Sequence, residues 1–190
     1  REEWIPAGSV IRAEPDCQVY LLPENREPVS HLAGKTCVCF GDWVTACKAA
    51  PEDYPSILAK RTGMTVINAA IGPGRMASKS EQDLEPFCMF SLAQAAATGD
   101  WSAQDEWIGG MYSDPYAAER LEKLKQVDWS KVDFVTIAHG GNDYADSVSL
   151  YEFRMALYYS VDKLLTAWPH LKIMLLTPVW CWWPGEIQDG

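Results

Sequence analysis

No apolar run in this chain approaches the roughly 18 residues of a membrane-spanning helix. No Cys-x-x-Cys pair and no Cys/His cluster with zinc spacing occurs. Basic residues are scarce, with 16 Lys and Arg against 26 Asp and Glu and a formal charge of -10. That balance argues against a nucleic-acid partner, because phosphate contacts need clustered cations. No internal repeat and no low-complexity tract is present, and no glycine pattern has the spacing of a dinucleotide fingerprint or a P-loop. Histidine is limited to His31, His139 and His170. The opening Arg-Glu-Glu-Trp-Ile-Pro does not read as a signal peptide. Six cysteines, at 17, 37, 39, 47, 88 and 181, are expected to be reduced. That leans towards a reducing, cytoplasmic location, with secretion open if a leader has been removed.

What is present is a chain of 190 residues with 48% hydrophobic and 22% charged content, ordinary for a globular protein. Its length suits one α/β domain. Residues 1–34 lack helical periodicity and read as a small β extension, or as the end of a preceding domain. Residues 35–190 are expected to form the α/β domain. Cys37-Val-Cys-Phe40 is a short apolar run broken by Gly41-Asp42, as when a buried parallel strand delivers a loop to a site. Thr65 to Ala69 and Phe134 to Ala138 do the same, ending at Gly72-Pro-Gly74 and at Gly140-Gly-Asn-Asp143. A fourth strand is expected over 171–177.

Between the strands, residues 51–63 read as a helix stopped by Gly63. Ser78 to Ala97 reads as a buried helix, with an imperfect capping box at Ser80 and Asp83. Residues 98–115 are rich in Gly, Asp, Trp and Pro, and are expected to be a long functional or mobile loop. A short charged helix over 116–126 follows. Leu150 to Trp168 carries apolar residues at 153, 157, 161, 164 and 165, an amphipathic pattern. Strands alternating with helices predict an α/β, flavodoxin-like three-layer α/β/α sandwich with a mainly parallel sheet.

The three strand-end blocks together resemble the SGNH, or GDSL-type, hydrolases over roughly residues 35–180. The first block of that family is Gly-Asp-Ser and here reads Gly41-Asp42-Trp43. The second is Asn followed by a glycine-rich turn, here Asn68 to Gly74. The third is Gly-x-Asn-Asp, here Gly140-Gly141-Asn142-Asp143. The resemblance implies an esterase lineage acting on a small-molecule or carbohydrate ester through a serine acyl-enzyme, without a cofactor or a metal. It places Trp43 at the nucleophile position and Asn142 in the oxyanion hole. A second oxyanion donor is expected within Gly72, Pro73 and Gly74. Asp42, His139, Gly141, Asp143 and Trp180 are the expected lining residues.

Three departures from the family pattern predict little or no esterase activity. An indole cannot attack a carbonyl, and acyl transfer needs an activated nucleophile. The position five beyond Asn68 is Pro73, which has no N–H to donate. Loss of one oxyanion donor typically costs about 100- to 1000-fold in rate. The family's Asp-x-x-His pair is also missing, since Pro28, Thr136 and Ala167 stand three residues before the histidines; against the family's fifth strand and final helix, the resemblance implies that the 35–190 domain is incomplete at its carboxyl end. Cys47 is too remote to replace the serine. A non-catalytic module on the same scaffold, holding a glycan or an apolar ligand, is the competing expectation. A flavin or nucleotide binder is a weaker one. The Trp180, Trp182 and Trp183 cluster would either wall a pocket or cover a hydrophobic edge. The oligomeric state is not legible.

Overall fold

The computed structural model describes residues 31–46, 53–78, 85–111 and 113–177. Trp180, the neighbouring tryptophans, Cys17, Cys47, Cys181 and nearly all of the expected β extension lie outside these residues, as does the Ser80–Asp83 pair.

Four strands form one all-parallel sheet: β1 (Thr36–Gly41), β2 (Thr65–Asn68), β3 (Phe134–Ala138) and β4 (Lys172–Leu175), in the order β2-β1-β3-β4. The α/β class and the parallel sheet expected from the alternation are therefore observed. β1 is flanked on both sides, and its residues from Cys37 to Gly41 are all buried. That is why it reads as a continuous apolar run rather than an alternating one. The chain leaves β1 towards β2 on one side and returns to β3 on the other. The carboxyl ends of β1 and β3 thus flank the point where the strand order reverses.

Seven α-helices occur among the described residues: α1 (Trp43–Ala46), α2 (Tyr54–Thr62), α3 (Met89–Thr98), α4 (Ser102–Trp107), α5 (Ala117–Lys125), α6 (Gly141–Ala145) and α7 (Leu150–Ala167). Alternate side chains of β1 serve opposite faces of the sheet. Cys37 and Cys39 pack with Tyr54 and Leu58 of α2, whereas Val38 and Phe40 pack with residues of α3, α5 and α7. Helices therefore cover both faces. Cys37, Cys39 and Cys88 are buried thiols outside any disulfide.

Local chemistry sets the helix ends. Gly63 and Gly99 stop α2 and α3 in the left-handed region, at φ 71° and 75°, where a β-carbon would be strained. Ser149 and Glu152 form a complete capping box at the start of α7.

Several boundaries differ from expectation. Of the predicted helix over 78–97, residues 79–84 lie outside the described residues, and the described part is broken into a 3-10 turn at Glu85–Phe87 and α3 from Met89. The predicted loop over 98–115 contains α4 and a 3-10 turn at Ile108–Gly110. Trp101 and Trp107 pack against the main core, so tertiary burial overrides the turn-rich composition. The fourth strand is confined to Lys172–Leu175.

Candidate functional site at the strand tips

Gly41 ends β1 where the chain folds back into α1. A β-carbon on Gly41 would overlap the Thr45 hydroxyl, so only glycine lets α1 sit this close to its strand. Asp42 follows and is buried. Its carboxylate accepts the Val44 N–H at 3.0 Å and also takes the Gly141 N–H. Its carbonyl accepts from Thr45 and Ala46 at 3.0 and 2.9 Å. Burial raises the Asp42 pKa, and these backbone donors oppose the rise.

Trp43 opens α1 and is 37% exposed. Its indole lies on Gly72: a β-carbon built on that glycine would clash with the ring, 2.7 Å from Cδ2. The first and second blocks thus meet through an aromatic ring packed on bare backbone.

The third block joins them from β3. Asn142, in α6, donates one amide hydrogen to the Gly72 carbonyl at 2.9 Å and the other to the Gly74 carbonyl at 2.8 Å. An amide NH2 has two hydrogens, so both are committed to the turn. Asp143 is buried and clamps the residues that follow, accepting from Met76 N–H at 2.9 Å and Ala77 N–H at 3.0 Å. Burial raises its pKa, against those two bonds and the nearby Arg75 charge. Arg75 is itself buried and ion-paired with Asp146 at 3.1 Å.

The remaining backbone donors of the turn are also engaged. The Gly72 N–H donates to Asp114 Oδ2 at 2.8 Å, and the Gly74 N–H donates to the Ile71 carbonyl at 2.9 Å. Pro73, half-buried between them, has no N–H to offer. An oxyanion hole needs donors aimed at empty space where charge will develop. Here the Asn142, Gly72 and Gly74 donors all point at atoms of the protein.

Asp114 and its partner Arg120 escaped the sequence reading. Arg120 is buried in α5 and contacts both Asp114 oxygens, at 3.2 and 3.1 Å. It also donates to the carbonyls of Ala46 at 3.0 Å and Ala70 at 3.4 Å. One guanidinium therefore ties the end of α1 to the approach of the glycine turn. Asp114 stands in a stretch expected to be loop, and Arg120 in the expected short charged helix. Their spacing of six gave no signal of pairing.

His139 is 3% exposed and lies under the turn, its Cε1 3.6 Å from where a Gly74 β-carbon would stand. Neither ring nitrogen has a well-formed hydrogen bond, though the Gly74 backbone lies close enough to favour the charged ring slightly. Burial lowers its pKa to about 4, so the ring is neutral at pH 7. It is a core histidine rather than a residue lining an open cleft. His170 caps the opposite end of the sheet, with Nε2 3.1 Å from the Val132 carbonyl. Asn68 is structural: it donates to Asp53 at 2.9 Å and accepts from the Ala70 N–H at 3.0 Å.

The structure therefore brings Asp42, Trp43, Gly72, Pro73, Gly74, Gly141, Asn142 and Asp143 together, with His139 beneath them. No group of three or more His, Cys, Asp or Glu side chains arranged to hold a metal occurs among the described residues.

No protein-family model matches this chain. No curated protein matches it either. A solved crystal structure is similar in fold, with a TM-score of 0.49 and 22% sequence identity, over 77% of this chain. The matched region spans 58% of the length of that protein.

Proposed function

We propose that this chain is a catalytically silent relative of the SGNH hydrolases, on a flavodoxin-like scaffold whose strand-tip site no longer performs acyl transfer. The observation that carries this reading is the packing of Trp43 on Gly72. It puts an indole where a serine would stand and lays it across the turn that would supply oxyanion donors. The engagement of Asn142 with the Gly72 and Gly74 carbonyls supports the same reading.

The test is hydrolysis of p-nitrophenyl acetate. The unmodified chain is expected to stay at the buffer rate. Trp43→Ser is expected to stay there too, because His139, the histidine beneath the tips, is buried and neutral instead of facing residue 43 as a base, and the turn's donors remain engaged. Robust turnover by the unmodified chain would refute the proposal.

A second reading draws on one further observation. Trp43 and Val44 are 37% and 51% exposed and adjacent, so the strand tips present an apolar step beside polar backbone. That surface suits retention of an acyl chain or a sugar ring without cleavage. Trp43 fluorescence, isolated as the difference between the chain and its Trp43→Phe variant, should respond to decanoate or to an oligosaccharide. No response to either class would remove this reading and leave a scaffold without a ligand at the tips.

A further inference from the structure

The outer face of α7 carries apolar side chains that no other described element covers. Phe153, Leu157, Val161 and Leu164 turn towards the main core. On the opposite side Tyr151 is 72% exposed and Tyr158 59%, and Met155 and Leu165 are exposed as well. Single exposed apolar residues are ordinary, whereas a contiguous stripe of them marks an interaction surface. Tyrosine, methionine and arginine are also types enriched where proteins meet.

The stripe has an internal symmetry. In an α-helix, positions four away from Tyr158 lie about 40° to either side of it, and positions seven away about 20°. Arg154 and Asp162 therefore flank Tyr158 at four residues, and Tyr151 and Leu165 at seven, all exposed on one face. Together they span about 21 Å of helix. The stripe is apolar at both ends and aromatic at its centre, with two opposite charges between.

That pattern is complementary to itself in one orientation. A second α7, antiparallel across a two-fold axis at Tyr158, brings Arg154 level with Asp162 of the other copy. It also brings Tyr151 level with the other Leu165, and symmetry repeats both pairings. A parallel arrangement would set Arg154 against Arg154 and Asp162 against Asp162, and like charges repel. Neither residue has an ion-pair partner among the described residues. Arg154 instead lies over the Tyr158 ring of its own helix, 6.0 Å from the centroid, which holds the cation on the stripe. Seven-residue spacing suits the shallow crossing, about 20°, at which two helices stay in contact along their length.

We propose that α7 is the interface of a two-fold dimer of this chain, with Tyr158 on the axis and Arg154 paired to Asp162 across it. The contact is one helix pair, so the dimer is weak, with a Kd of about 10–100 μM. The chain charge of -10 opposes approach at long range, and salt at about 0.15 M screens it beyond about 8 Å. The experiment is sedimentation equilibrium at that ionic strength, from about 1 μM to 1 mM chain. Arg154→Asp and Asp162→Arg each set like charges opposite one another, and each is expected to weaken association at least about tenfold. Both positions are exposed, so the fold should tolerate the changes. Combining Arg154→Asp with Asp162→Arg restores opposite charges and is expected to return the Kd to within about threefold of the parent. A chain still monomeric at about 1 mM overturns the proposal. So does a dimer that both single variants spare, or one that the combined swap fails to restore. Association abolished by Trp43→Ala and untouched by the charge variants would belong to the strand tips, and overturns it as well.

Discussion

Trp43 and Asn142 meet on the same glycine. The indole covers the bare α-carbon of Gly72, and the Asn142 amide takes its carbonyl at 2.9 Å. Two residues 99 positions apart thus hold one turn from different strands. A group that would polarise a substrate in an acyl-transfer site is used here to secure backbone.

Gly72 should resist any side chain. A β-carbon there would clash with the Trp43 ring, and overpacking of this kind costs about 1–3 kcal/mol. Gly72→Ala should lower the urea midpoint accordingly. Trp43→Ala in the same chain should recover most of the loss by removing the obstruction. If the double variant shows no recovery, the ring does not rest on that glycine.

The buried Asp114–Arg120 pair should show strong coupling. Asp114→Ala leaves a buried guanidinium without its counter-charge and strips the Gly72 N–H of its acceptor. Breaking a buried pair from one side typically costs about 3–5 kcal/mol. Replacing both partners, as Asp114→Leu with Arg120→Met, should cost less than the sum of the two single changes. A double-mutant cycle in urea measures the difference, and additivity within about 0.5 kcal/mol would count against the pairing.

His139 should make the fold acid-sensitive in a defined window. Its folded pKa of about 4 lies below the ordinary 6.5. Below pH 6.5 the unfolded chain binds a proton that the folded chain refuses, so stability falls from pH 6.5 towards pH 4. The full difference corresponds to about 3 kcal/mol. Asp42 and Asp143, whose pKa values are raised, contribute with the opposite sign, since the folded chain takes up their protons more readily. Comparison with His139→Gln cancels those contributions. The variant should lose less stability than the parent between pH 7 and pH 4.5, and equal losses would place the acid sensitivity elsewhere.

The fold was legible where burial leaves a local mark. β1 and β3 are short apolar runs because neighbours cover both their edges and both their faces, and Gly63 ends α2 because only glycine adopts φ 71° cheaply. The convergence of Gly41–Trp43, Gly72–Gly74 and Gly140–Asp143 was legible because each block follows a parallel strand, and parallel strands deliver their loops to one end of a sheet. Residues 98–115 were misread as loop because Gly, Asp and Pro dominate local propensity. Trp101 and Trp107 pull the segment into helical packing through contacts that no window contains.

Chain order and residue type alone determined the parallel α/β plan, the three converging tips and the indole, with no hydroxyl, at position 43. Only the tertiary structure decided what the polar groups there do. Asn142, the Gly72 N–H and Asp114 are remote in sequence, and a hydrogen bond is set by distance and angle in space. Identity names a donor, while packing alone selects the acceptor it meets.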